Sequence, residues 1–158
     1  MKTMIVYASK SGTTKTCAEM LAHEIDGVTT LIDIVSQEPD LSDYDTILIG
    51  GPIRYGRLHS AVKEFMQNHK SELLDKEIGL FICCGNEQQA EQHFTDNFPP
   101  ELLAHALAHE SFGGEIRLDA LSFIERLVGK MAMKSLADGE TVSIHKDKIE
   151  HFAHAVMS

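Results

Sequence analysis

A chain of 158 residues, 43% hydrophobic and 24% charged, can bury one sizeable core, which excludes disorder and leads us to expect a single domain over residues 1–158. Lys and Arg total 14 against 24 Asp and Glu, and the formal net charge of -10 repels a nucleic-acid backbone, so no DNA or RNA partner is expected. Cys17, Cys83 and Cys84 are odd in number, with two adjacent; that is a poor disulfide framework and suits a reducing, cytoplasmic setting.

Residues 4–8 form an apolar run far too short for a membrane span or a signal-peptide core, and the absence of alternation reads as a strand buried on both faces of a parallel sheet. Ser9-Lys10-Ser11-Gly12-Thr13-Thr14 follows, and then Ala18, Leu21, Ala22 and Ile25 recur with helical spacing before a stop at Gly27. A second strand is expected over 30–35 and a third over 46–51, with a polar connection at 40–45. Leu58, Val62, Phe65 and Met66 share a helical face. Residues 77–84 are a fourth apolar strand, 86–97 a polar segment of helical character, and Pro99-Pro100 a break. Further expectations are a helix over 102–108, a weaker fifth strand over 110–116 containing Gly113-Gly114, an apolar helix over 121–133, and a last helix from about Asp147 with Ile149, Phe152, Ala153 and Val156 inward. Strands alternating with helices give an α/β domain with an open parallel sheet and helices on both faces.

The loop between the first strand and first helix has a specific chemistry. A helix N-terminus offers backbone N–H groups with no intrahelical partner and a dipole that favours an anion. Ser9, Ser11, Thr13 and Thr14 add hydroxyl donors around Gly12, which permits close approach, so the loop reads as a neutral cradle for phosphate. No Gly-x-Gly-x-x-Gly and no Gly-x-x-x-x-Gly-Lys-Ser/Thr occurs, which argues against a dinucleotide or a nucleoside triphosphate. An acidic pair for a phosphoacceptor site is missing at the strand ends, where Ser9 and Gly50-Gly51 stand, and the Cys-x5-Arg of small phosphatases is absent after the first strand.

Ser9-Lys10-Ser11-Gly12-Thr13-Thr14 resembles the flavodoxin fingerprint Ser/Thr-x-Thr/Ser-Gly-x-Thr at the flavodoxin position. That resemblance implies FMN as cofactor and a flavodoxin-like three-layer sandwich with parallel strand order 2-1-3-4-5, the order and FMN site being the family's own known example of a ligand at a switch point. It further implies that the stretch after the third strand, Pro52, Ile53, Arg54, Tyr55 and Gly56, and the one after the fourth, Cys84, Gly85 and Asn86, face the flavin, with Tyr55 stacking on the ring and Arg54 lending positive charge. Ile53-Arg54-Tyr55-Gly56 followed by His59-Ser60-Ala61 resembles a segment of the flavodoxin-like, menaquinone-linked protoporphyrinogen oxidases of bacteria, and that likeness covers most of the chain. Two functions of different class follow: an electron carrier working through bound FMN between partner proteins, or an FMN-dependent oxidoreductase that passes electrons from a small molecule to a quinone.

His105 with His109, and His151 with His154, have helical spacing, but no third ligand accompanies them and no metal is expected. Arg126, Lys130 and Lys134 line one face of the segment 119–135, whose apolar stripe lies on another. Core packing is the commoner role of that pattern, and peripheral contact with an anionic membrane is the alternative.

Overall fold

The computed structural model describes residues 2–9, 12–85, 87–114 and 144–157. In chain order the elements are β1 (Lys2–Tyr7), α1 (Thr13–Glu24), β2 (Val28–Asp33), β3 (Thr46–Arg54), β4 (Arg57–Leu58), α2 (Ser60–Asn68), α3 (Lys70–Leu74), β5 (Glu77–Cys83), a 3-10 turn (Glu87–Gln89), α4 (Ala90–Asn97), α5 (Pro100–His105), β6 (Ala108–Ser111) and α6 (Lys146–Met157). The long strands and β6 are all parallel in the order β2-β1-β3-β5-β6, with β4 folded back antiparallel on β3. This is the expected flavodoxin-like order with one short strand added.

The unalternating apolar strands acquire two distinct faces in this sheet. Met4, Val6, Ile47, Ile49, Ile78, Leu80 and Ile82 meet Phe65, Met66, Leu73, Phe94 and Leu102 from α2 to α5. Ile5, Tyr7, Leu48, Phe81 and Cys83 meet Cys17, Ala18 and Leu21 of α1 and Ile149, Phe152 and Val156 of α6. Each such side chain buried contributes roughly 1.5–3 kcal/mol relative to exposure.

Glycines on the central strands set how closely the layers approach. A Cβ on Gly79 would lie 2.8 Å from Phe152 Cζ and Val156 Cγ1, so α6 sits directly on that strand. One on Gly50 would fall 2.2 Å from the Phe81 ring.

Several sequence expectations shift. Leu58 is buried from β4 rather than from the helix, which starts at Ser60. The helix expected over 102–108 is Pro100–His105, because Ala106 is extended at φ -62°, ψ 136° and Leu107 N donates to Ile78 O at 2.9 Å, drawing the chain into the sheet. That capture starts β6 at Ala108, before the expected 110, and the strand ends at Ser111 ahead of Gly113, whose φ is 80°. Residues 115–116 of the expected fifth strand, the helix expected over 121–133, and Arg126, Lys130 and Lys134 lie outside the described residues. Gly113 forms an antiparallel bridge to Ile144, so the described chain resumes beside the point where it stops. No helix among the described residues is long and apolar enough to cross a membrane.

Candidate functional site

β1 and β3 are neighbours, but their following helices leave to opposite faces: α1 packs with Ile5 and Tyr7, α2 with Met4 and Val6. The loops at the carboxyl ends of these strands therefore part around a crevice, the position where open α/β sheets bind ligands.

One wall is the start of α1. Gly12 has φ 92° and ψ -11°, a left-handed conformation suited to glycine, and caps the helix without a side chain. Gly12 N donates to Ser9 Oγ at 3.0 Å, which draws the loop into a tight turn, while Thr16 N and Thr16 Oγ1 both donate to Gly12 O at 3.0 Å. The first turn of α1 carries no acidic residue, so nothing opposes an anion there. Thr13 and Thr14 are buried, and Thr14 Oγ1 has no hydrogen-bond partner among the described residues. Leaving a buried hydroxyl unpaired costs about 1–3 kcal/mol, a cost that a phosphate oxygen above the loop would remove. Lys10 and Ser11 lie outside the described residues. The other unpartnered hydroxyls, Thr3, Thr29 and Thr46, stand in one register row across β2, β1 and β3 at the far, amino-terminal end of the sheet. They have no bearing on the crevice.

Beneath this wall Cys83 is buried at the end of β5. Contact with the Cys17 thiol, then burial, pushes its own thiol well above the ordinary value of 9.0, with the neighbouring Thr14 hydroxyl opposing; a thiol is only a weak hydrogen-bond partner for that hydroxyl. Cys83 is therefore a neutral thiol and not a nucleophile. All three cysteines are buried thiols outside any disulfide.

The second wall corrects the sequence reading. The stretch 52–56 is not a loop throughout: β3 runs past the expected end at Gly51 to Arg54, and only Tyr55 and Gly56 form the turn. Ile53 pairs with Leu58 and Arg54 with Arg57, and both turn residues have positive φ, 53° and 75°, the combination that a two-residue type I′ hairpin needs. Asn, Asp or Gly normally fills the first turn position. Tyrosine in this region costs on the order of 1–2 kcal/mol, and here its side chain is 100% exposed, so no packing among the described residues offsets the strain. Pro52 is tolerated where the strand leaves its parallel partner, and its carbonyl accepts from His59 N at 3.3 Å. His59 then caps α2, its Nδ1 accepting from Ala61 N at 3.1 Å.

Asn97, the last residue of α4, is a site-building residue that the sequence reading missed. Its Oδ1 accepts from Leu58 N at 3.0 Å, and its Nδ2 donates to Gly56 O at 3.0 Å and to His93 O at 2.9 Å. A polar residue before Pro99 reads as an ordinary helix end, and no periodicity signals a partner some forty residues away.

The third wall follows β5. Cys84 is buried with Sγ 3.4 Å from Ser111 Oγ, so its side chain faces the sheet and only its backbone borders the crevice. A Cβ on Gly85 would meet nothing within 4 Å, which leaves the backbone there approachable. Asn86 lies outside the described residues. The histidine pairs remain apart from the crevice chemistry: His105 ends α5 and bonds Lys76 O at 2.7 Å, whereas His109 sits on β6 and meets Glu91 at 3.1 Å, so they do not share a helix face. His151 and His154 are exposed on α6.

Comparison with known proteins agrees with this geometry. The family model described as a flavodoxin domain matches residues 4–143. The protoporphyrinogen IX dehydrogenase (quinone) of Escherichia coli K12 is 36% identical over 153 residues, covering 89% of this chain and 83% of that protein. Among solved structures, a short-chain flavodoxin associated with a bacterial microcompartment superposes with TM-score 0.63 at 12% identity, over 99% of this chain and 97% of that one. A Fusobacterium nucleatum flavodoxin bound to flavin mononucleotide gives 0.59 at 9% identity, over 99% and 96%.

Proposed function

The chain belongs to the flavodoxin domain family, an FMN-binding family, and on that premise we propose that its crevice holds FMN and that the protein moves electrons through it to a quinone or a partner protein. The observation that carries this reading is the unpaired buried hydroxyl of Thr14 in a Gly12-capped helix start, set across the crevice from a strained, fully exposed Tyr55. Bound FMN supplies a ring that takes up and releases electrons one or two at a time. Ser9, Thr13 and Thr14, with Lys10 and Ser11, hold the phosphate, and Gly12, without a side chain, lets it approach closely. Tyr55 covers one face of the ring, Arg54 supplies positive charge beside it, Ile53 and Pro52 fix the approach of the hairpin, and the backbone of Cys84, Gly85 and Asn86 borders its polar edge.

A second reading makes the protein an enzyme with a small reduced substrate, and the 36% identity to a quinone-linked protoporphyrinogen IX dehydrogenase favours it. Three cysteines outside any disulfide suit a cytoplasmic protein, and the work of either reading is compatible with one domain over 1–158. The test is direct. Purified protein loaded with FMN is given protoporphyrinogen and menadione with no other protein. Quinone-dependent oxidation identifies the enzyme, whereas reduction only through an added electron-transfer protein identifies the carrier. Failure to bind FMN would overturn both.

A further inference from the structure

We infer that Asn97 is a positioning residue for the flavin ring: its buried amide joins the end of α4 to the Tyr55-Gly56 turn and holds the tyrosine in its strained conformation. The inference rests on the FMN reading above and deepens it.

The amide is oriented without ambiguity. Gly56 O and His93 O can only accept and Leu58 N can only donate, so the nitrogen must face the two carbonyls and the oxygen the amide. Two of these three partners, Gly56 and Leu58, bracket Arg57 directly after Tyr55. The hairpin is short: β4 has two residues, and its pairing with β3 is limited to Ile53 with Leu58 and Arg54 with Arg57. So small a ladder cannot by itself hold a tyrosine at φ 53°, because an isolated two-stranded hairpin is marginal in water. Relaxed states are available to Tyr55, which is fully exposed and gains nothing from packing among the described residues. What over-determines the turn is the hydrogen bonding of its far side to a residue 8% exposed on a helix whose Phe94 is core. Phe94 is 1% exposed and α4 is anchored through it, so a rigid element outside the hairpin sets the turn. The hairpin and α4 are thereby one mechanical unit, with Asn97 as the joint.

Loss of this joint has a signature distinct from loss of stability. Removing the Asn97 amide lets Tyr55 leave its ring-covering position, so ring contact weakens while phosphate contact does not. Asn97→Ala should weaken FMN and riboflavin by the same factor, about three- to tenfold, within the range of coupling measured between contacting residues. A phosphate-loop change such as Thr14→Val should instead affect FMN and spare riboflavin.

The experiment is a double-mutant cycle with Asn97→Ala, Tyr55→Ala and the pair, reading dissociation constants for FMN and riboflavin together with the fluorescence of the bound flavin, which a stacked tyrosine quenches. The expected result is that Asn97→Ala raises bound-flavin fluorescence towards the Tyr55→Ala level and that its effect on affinity vanishes in the Tyr55→Ala background. Additive effects, or unchanged fluorescence in Asn97→Ala, overturn the inference. Should Asn97→Ala fail to fold, Asn97→Ser, a smaller neutral side chain that cannot span all three partners, is read in the same cycle. In wild type, FMN must also slow hydrogen exchange at Leu58 N; unchanged exchange overturns the inference with no variant needed. Wild type that binds neither flavin overturns the FMN reading itself, whereas binding with an additive cycle overturns only the role of Asn97.

Discussion

Thr14 and Cys83 make opposite demands of their surroundings. The Thr14 hydroxyl is 1% exposed and unpaired, so Thr14→Val should leave the cofactor-free protein as stable as wild type or more so. The same change should weaken FMN by about 1.5–3 kcal/mol, the range for a hydrogen bond to a charged group. Flavin titration by fluorescence checks it, and unchanged FMN affinity would remove Thr14 from the cradle. The Cys83 thiol is held neutral, above its unfolded value, first by the Cys17 thiol and then by burial. A group whose folded pKa is raised contributes stability that is complete below the unfolded pKa and is lost as pH rises, here from about pH 8.5 upward. The melting temperature should therefore fall more steeply between pH 8.5 and 10.5 in wild type than in Cys83→Ala. Equal slopes would contradict the shift. Tyr7 is also raised, by burial and then by Asp33 and Glu19, and its share of the alkaline loss should persist in the variant.

At the level of elements, the β3–β4 hairpin and the Gly50–Phe81 contact are where geometry constrains sequence most. Tyr55→Asn places a residue tolerant of positive φ in the turn and removes no packing, so it should raise the stability of the cofactor-free protein by up to about 1 kcal/mol. It should lower FMN affinity at the same time, the exchange of stability for function expected at a strained site. A variant that gained stability and kept its affinity would show that the tyrosine does not touch the ring. Gly50→Ala puts a methyl group 2.2 Å from the Phe81 ring, and overpacking of this kind costs about 1–3 kcal/mol in urea unfolding. Adding Phe81→Leu should recover part of that loss, and no recovery would mean that the backbone rather than the ring absorbs the strain.

For the whole molecule, a net charge of -10 makes close approach to anionic lipid unfavourable, and no binding to anionic vesicles is expected even at low ionic strength, where attraction by Arg126, Lys130 and Lys134 would be least screened. Salt-sensitive binding that disappears when those three become Gln would establish the membrane contact. FMN at a hundred times its dissociation constant should stabilise the fold by about 2.7 kcal/mol, or roughly 5–10 °C in melting temperature for a chain of this size. What the amino-acid sequence determined alone was whatever depends on local order: the unalternating runs that became β1, β3 and β5, the helical stripe of α6 through Ile149, Phe152 and Val156, and the Gly12 turn with its threonines. These follow from hydrophobic periodicity and backbone sterics, which neighbouring residues settle among themselves. The tertiary structure decided the rest. The hydrogen bond from Leu107 to Ile78 ended α5 and began β6 early, the Phe81 ring left no room for a side chain at Gly50, and Asn97 reached the hairpin across forty residues. In each case the partner lies far off in the chain, and a hydrogen bond or a van der Waals contact is set by distance in space, which sequence spacing does not encode.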